Sequence, residues 1–107
     1  MHELNKTLAD LESQNKFDEA IQLLKKELKK APRDLSIQTE IGNYYAMAGD
    51  FEEALGYFRR VYHVFRDNDH LAESISFCLN ELGNDAFLKR NYRQSKLYFE
   101  ELINHES

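Results

Sequence analysis

The chain has 107 residues, of which 42% are hydrophobic and 31% charged, with four glycines and one proline. This composition is typical of an ordered, helix-rich globular protein, and the length predicts a single domain. With 14 basic against 19 acidic residues the net charge is −5. Nucleic acid and anionic membrane surfaces are therefore disfavoured as partners.

Cysteine content and the N-terminal sequence indicate a compartment. A single cysteine, Cys78, cannot form a disulfide within the chain, which favours a reducing environment. The first residues carry no basic start followed by an apolar stretch, so we expect no signal peptide or membrane span and a cytoplasmic location.

Apolar residues recur at three- and four-residue steps along the whole chain, which predicts α-helices. Turn signals occur at Asn15-Lys16, Gly49-Asp50 and Arg90-Asn91, where glycine or asparagine can adopt the left-handed conformation that ends a helix. Asp50 and Asn91 are each followed three residues later by glutamate or glutamine, the capping-box pattern. The predicted helices span about 2–14, 17–30, 34–48, 51–66, 70–89 and 92–105.

The sequence repeats in phase with these helices. Phe17–Leu24 aligns with Phe51–Phe58 at an interval of 34 positions, and Tyr92–Phe99 follows the second copy at an interval of 41. The additional seven residues are about two helical turns, which we assign to the first helix of the last pair. A fixed period predicts a stacked architecture, here a domain over residues 1–107 with repeats at about 1–33, 34–67 and 68–107.

The repeated residues resemble those of the tetratricopeptide repeat. The second copy has Ile41-Gly42-x-x-Tyr45 and Ala54-x-x-x-Phe58, and the third keeps Leu82-Gly83 and Phe99. The resemblance implies an all-α, right-handed solenoid of three antiparallel helix pairs that binds another protein or peptide. Since no catalytic motif is visible, we expect neither an enzyme nor a bound cofactor.

Small residues should mark the places where the two helices of a pair cross closely. We expect Gly42 to face Ala54, and Gly83 to face Ser95. In the first copy Leu8 stands where glycine is usual. This departure predicts a first pair that packs more loosely or at a different angle.

The first helix of each pair is expected to line the concave face of the solenoid. By resemblance to the long-helix repeats of kinesin light chains and bacterial peptide-pheromone receptors, Asn43 and Asn84 would hydrogen-bond the backbone of an extended peptide. The alternative is that these amides hold only their own helices. The candidate groove residues are Asn5, Thr39, Asn43, Met47, Phe77, Asn80, Asn84 and Phe87, with His2, Ala9, Glu12 and Ser36 beside them.

The ligand is expected to be neutral or basic. Related domains that capture acidic chaperone tails use a basic clamp, whose positions correspond here to Asn5, Ala9, Glu40, Phe77 and Glu81. Two carboxylates at those positions would repel an acidic tail.

Two other functions stay open. The last helix carries Tyr98, Leu102 and Ile103, more apolar surface than one neighbouring helix covers, which suggests self-association as a homodimer. The chain could also be a regulatory piece of a larger protein. The four histidines lack the spacing of a helical metal pair, so no metal site is predicted.

Overall fold

The computed structural model describes residues 2–106, with side chains from residue 3 onward. Met1 and Ser107, the ends of the predicted domain, lie outside the described residues. Predicted helix boundaries are confirmed to within two residues. The helices are α1 (His2–Ser13), α2 (Phe17–Lys30), α3 (Leu35–Met47), α4 (Phe51–Val64), α5 (Asp69–Leu88) and α6 (Tyr92–Glu106).

An aspartate or asparagine begins four of these helices. The side chains of Asp34 and Asn68 accept hydrogen bonds from the backbone N–H three residues later, at 3.1 and 3.0 Å. Asp50 and Asn91 accept equivalent bonds at 3.4 Å. Each bond satisfies a backbone donor that the helix cannot. The caps predicted at Asp50 and Asn91 are thus confirmed.

Three helices end in a left-handed residue, at Asn15, Gly49 and Arg90, with φ of 57°, 84° and 63°. The N–H of the next residue then donates to the carbonyl five residues earlier, at 2.8–2.9 Å, as in a Schellman motif. The predicted turn positions are confirmed. At the last turn Arg90 rather than Asn91 is left-handed, because Asn91 begins α6.

We expect Arg90→Gly to raise the free energy of unfolding by about 0.5–1 kcal/mol. A left-handed backbone costs a residue with a Cβ about 1–2 kcal/mol, and the greater freedom of glycine in the unfolded chain offsets part of that gain. Urea unfolding measures the change. Arg90→Ala is the control, since it removes the charge but keeps the Cβ; an equal gain there would assign the effect to charge.

Each helix packs against its neighbours in sequence, giving a body of 44 × 30 × 20 Å. The buried side chains form two clusters, one formed by α1, α2 and α3 and one by α4 and α5. Tyr45 packs against both clusters, stacks on Tyr57 at 5.9 Å between ring centres, and lies under the ammonium of Lys25. The fold is the expected all-α helical solenoid.

In the second and third helix pairs, a glycine of the first helix lies against an aromatic ring of the second helix. A Cβ at Gly42 would lie 2.7 Å from the ring of Phe58, and one at Gly83 would lie 2.7 Å from the ring of Phe99. The predicted proximity of Gly83 and Ser95 is confirmed, because the Ser95 hydroxyl donates to the Gly83 carbonyl at 2.9 Å. At Gly42 the group that requires a glycine is Phe58, one turn beyond Ala54.

The first helix pair replaces this arrangement with two leucines. Leu8 and Leu24 occupy the places of Gly42 and Phe58, and both are buried in the first cluster. Because Leu24 is smaller than the phenylalanine at the equivalent place in α4, it leaves room for the leucine side chain at position 8. Leu8 is the only buried side chain among residues 3–13, so α1 adds less to the core than the other first helices.

Candidate functional site

One side of α3 lines three hollows in succession. Near the start of α3, Ser36, Thr39 and Glu40 line a hollow of about 280 Å³ with the end of α4. Near its end, Met47 lines a hollow of about 460 Å³ with the turn that precedes α2. The central hollow, of about 360 Å³, lies between them and is shared with α5.

The central hollow has an apolar floor and a polar rim. Phe58 and Cys78, both buried, form the floor. The hollow includes residues from the two additional turns at the start of α5, which the seven-residue insertion places beside α3. The lining residues are Asn43, Ala46, Phe58, His70, Glu73, Ser74, Phe77 and Cys78.

Four of the predicted groove residues line these hollows and four do not. Asn43 and Phe77 lie together in the central hollow, while Thr39 and Met47 line the outer two. The side chain of His2 lies outside the described residues. The predicted residues that are exposed and line none of the three hollows are Asn5, Asn80, Asn84 and Phe87.

Sequence reasoning missed His70, Glu73 and Ser74, which complete the central hollow. The signal that could have found them is the 41-residue interval between the second and third copies. This interval predicts the additional length of α5, but it does not predict which part of α3 the added turns lie against.

The Asn43 amide makes no hydrogen bond to another residue between 3 and 106, and it is half-buried at the wall of the central hollow. Its nitrogen carries two donors and its oxygen accepts. A peptide unit lying in the hollow could use both functions at once. Chemically, the site can hold a backbone segment and one apolar side chain.

Carboxylates predominate around the hollows. Glu40 lies at the first, Glu73 at the second, and Asp18 and Glu19 at the third, where Lys16 is also present. In the central hollow His70 is the only other titratable rim residue among those described. The local potential is therefore negative, which favours a neutral or cationic ligand.

The buried cysteine beneath the central hollow is unsuited to nucleophilic chemistry. Burial raises the pKa of Cys78 to about 11, with Glu81 adding to the shift. At neutral pH the thiol is therefore protonated, and the thiolate is the reactive form. Cys78 acts as a small apolar residue of the floor.

Stability is expected to fall as the pH rises from about 9 to about 12. Burial raises the pKa of Cys78 from 9.0 to about 11 and that of Tyr44 from 10.0 to about 12, where the charge of Glu12 contributes as well. The unfolded chain loses these protons first, so the stabilisation is complete below pH 9 and is lost as the pH passes the folded pKa values. Urea midpoints across this range measure it.

The control for this pH dependence is the variant Cys78→Ala/Tyr44→Phe, which lacks both groups. Every other contribution to the pH dependence is common to the two proteins, so the informative quantity is the difference in slope between them. Identical slopes for the two proteins would contradict the raised pKa values.

The residues predicted for self-association point in different directions. Tyr98 and Leu102 are half-buried against the second cluster, whereas Ile103 is 66% exposed. An interface on α6 would therefore use a row other than the one predicted.

Two further properties bear on the candidate site. Between residues 3 and 106, no three histidine, cysteine, aspartate or glutamate side chains come together as a metal site. No helix in the described part of the chain is both long enough and apolar enough to cross a membrane.

Comparison with known proteins agrees with this architecture. A family model described as Tetratricopeptide repeat matches residues 10–69, more than half of the chain. The matched segment includes α2, α3 and α4 and thus the helix along which the hollows lie. No curated protein matches the chain.

Proposed function

Because this chain belongs to the tetratricopeptide-repeat family, whose members mediate protein–protein interactions, we propose that it is a non-catalytic binding module. Its ligand is an extended, neutral or basic peptide segment that lies along α3. The observation that carries the proposal is the central hollow, where the Asn43 amide stands over an apolar floor beside Phe77.

The shape of the site supports an extended segment. The three hollows follow one another along α3, which has 13 residues and is therefore about 20 Å long. An extended chain advances about 3.3 Å per residue, so about six residues would span the row. The Asn43 amide would pair with one peptide unit near the middle of this segment.

The floor of the central hollow supports an apolar anchor. Phe58 and Cys78 offer no polar group that a ligand could use at neutral pH, and Phe77 is 53% exposed at the wall. Its ring contacts Phe51 edge-on, with 5.6 Å between ring centres, which holds it in place. A volume of about 360 Å³ is at the lower end of the range of ligand pockets, sufficient for one apolar side chain of a peptide.

The charges around the row support the preference for neutral or basic segments. Glu40 and Glu73 lie at successive hollows, so a lysine or arginine beside the apolar anchor would meet a carboxylate. Both carboxylates are exposed, and each such pair contributes less than about 1 kcal/mol. Charge therefore sets preference, while the anchor and the backbone bonds set affinity.

The test uses peptides selected from a random display library on the wild-type protein. We expect the selected peptides to be enriched in an apolar residue near lysine or arginine and depleted in acidic residues. Asn43→Ala should weaken their binding about fivefold, the effect of losing one hydrogen bond. Phe77→Ala should weaken it about five- to tenfold, since exposed aromatic side chains often dominate interface energies.

The matched controls are Asn84→Ala and Phe87→Ala, which remove the same residue types from α5 outside the hollows. These variants should bind as the wild type does, and melting temperatures check that all four remain folded. If Asn84→Ala weakens binding while Asn43→Ala does not, the ligand lies on the other side of α5 and the proposed site is wrong.

A further inference from the structure

The second helix of each pair offers one row of side chains to the first helix of the next pair. In α4 this row is Phe51, Leu55, Phe58 and Tyr62, which packs with Leu71, Ile75, Cys78 and Leu79 of α5. At the 41-residue interval between repeats, the equivalent positions in α6 are Tyr92, Lys96, Phe99 and Ile103. We call these four residues the terminal row.

Much of the terminal row is exposed in the part of the chain that the structure describes. Tyr92 is 58% exposed and Ile103 is 66% exposed, and Phe99 is half-buried against Gly83. Lys96 is exposed at the place where α4 has the buried Leu55. The row therefore keeps the apolar character of a packing surface at three positions, with a cation in its middle.

The charged residues of α6 are divided by sign between its two halves. The first turns of α2 and α4 are acidic, whereas α6 has no acidic residue there and carries Arg93 and Lys96 in its first half. Its second half carries Glu100, Glu101 and Glu106. Within the terminal turns, where the helix dipole acts, Arg93 and Glu106 oppose it and His105 accords with it.

Only one of these charges has a partner within the described chain. Glu101 pairs with Arg59 of α4. Between residues 3 and 106, Arg93, Lys96 and Glu100 make no ion pair. A basic first half and an acidic second half are complementary to the same helix running in the opposite direction.

The opposite end of the solenoid is polar. The α3 residues that pack on α2 include Ile37, Ile41 and Tyr44. At the 34-residue interval, the equivalent positions in α1 are Glu3, Thr7 and Asp10, which are all exposed. Head-to-tail stacking would bury an apolar row against polar side chains. Symmetric pairing of the terminal row avoids this and closes the assembly at two copies.

We propose that the terminal row pairs with the terminal row of a second copy of this chain, the two α6 helices running antiparallel about a two-fold axis. Tyr92 lies opposite Ile103 of the partner subunit, and Lys96 lies opposite Phe99 of the partner subunit. Each ammonium then meets an aromatic face, while Glu100 lies beside the basic half of the partner helix. The interface is small, so the dimer dissociates on dilution.

Sedimentation equilibrium across about 1–300 µM protein tests the proposal, since a dimer responds to concentration by mass action. The wild type should pass from monomer to dimer in this range. Ile103→Asp should raise the dissociation constant at least about tenfold. Lys96→Glu should do the same, because it removes the ammonium from the face of Phe99 of the partner subunit and places a carboxylate near the partner's Glu100. Lys96→Glu/Glu100→Lys should restore part of the dimerisation, since it removes this repulsion.

Leu97→Ser is the matched control, since Leu97 is 54% exposed on the same helix but lies outside the terminal row. It should dimerise as the wild type does, and thermal melting checks that every variant is folded. A wild type that stays monomeric throughout overturns the proposal, as does a dimer that Ile103→Asp leaves intact. Loss of the dimer in Leu97→Ser alone would place the interface on another face of α6.

Discussion

Phe58→Ala is expected to lower the free energy of unfolding by about 3–5 kcal/mol, the usual cost of removing a buried phenylalanine ring. Phe58 is 2% exposed, belongs to the second cluster and forms the floor of the central hollow. Its ring also fills the space in front of Gly42. Since small domains are stable by about 5–15 kcal/mol in total, the variant should be close to unfolding at room temperature. Urea unfolding followed by circular dichroism measures the change.

Phe65→Ala is the control for this measurement, because Phe65 follows α4 directly but is 50% exposed. Its loss should cost about 1 kcal/mol or less, in line with substitutions outside the core. Comparable losses in the two variants would mean that the Phe58 ring is not the central packing element of α4.

Gly42→Ala is expected to lower the free energy of unfolding by about 1–3 kcal/mol, although alanine is the better helix former by about 1 kcal/mol. The added Cβ would lie 2.7 Å from a buried ring, which must shift to accept it. Gly56→Ala is the matched control on α4, where a Cβ would meet nothing within 4 Å. That variant should be more stable than the wild type.

The double variant Gly42→Ala/Phe58→Leu tests the cause of this effect. It moves the crossing toward the Leu8 and Leu24 arrangement of the first pair, where a shorter side chain faces a larger one. The double variant should therefore lose less stability than the sum of the two single losses, a coupling of residues in contact. Strict additivity would show that the Cβ and the ring do not meet.

The sequence predicted the helices well because their limits are local. Asp50 and Asn91 cap the helices that follow them, and Asn15 and Gly49 end the preceding ones through bonds within a few residues. The three- and four-residue steps of apolar positions fixed the remaining pattern, since one face of each helix is buried. The repeat interval then fixed the order in which neighbouring helices pack.

The candidate site was predicted only in part, because periodicity tells which residues share a face but not what that face meets. Asn43 and Asn84 occupy equivalent places in their repeats, yet within residues 2–106 only Asn43 has a following first helix beside it to enclose a hollow. For the same reason Tyr98 and Leu102 were predicted as an outer surface, although they pack inward. The side chains that meet a given face come from parts of the chain that are distant in sequence, so the periodicity of one helix does not predict them.

Tyr45 has a consequence for how the molecule unfolds. In a stack of repeats, the energy between adjacent units decides whether the units melt together or one after another. The Tyr45 ring touches both clusters, so the separation of one helix pair from the next must expose it. We therefore expect part of the coupling between neighbouring helix pairs to pass through this one side chain.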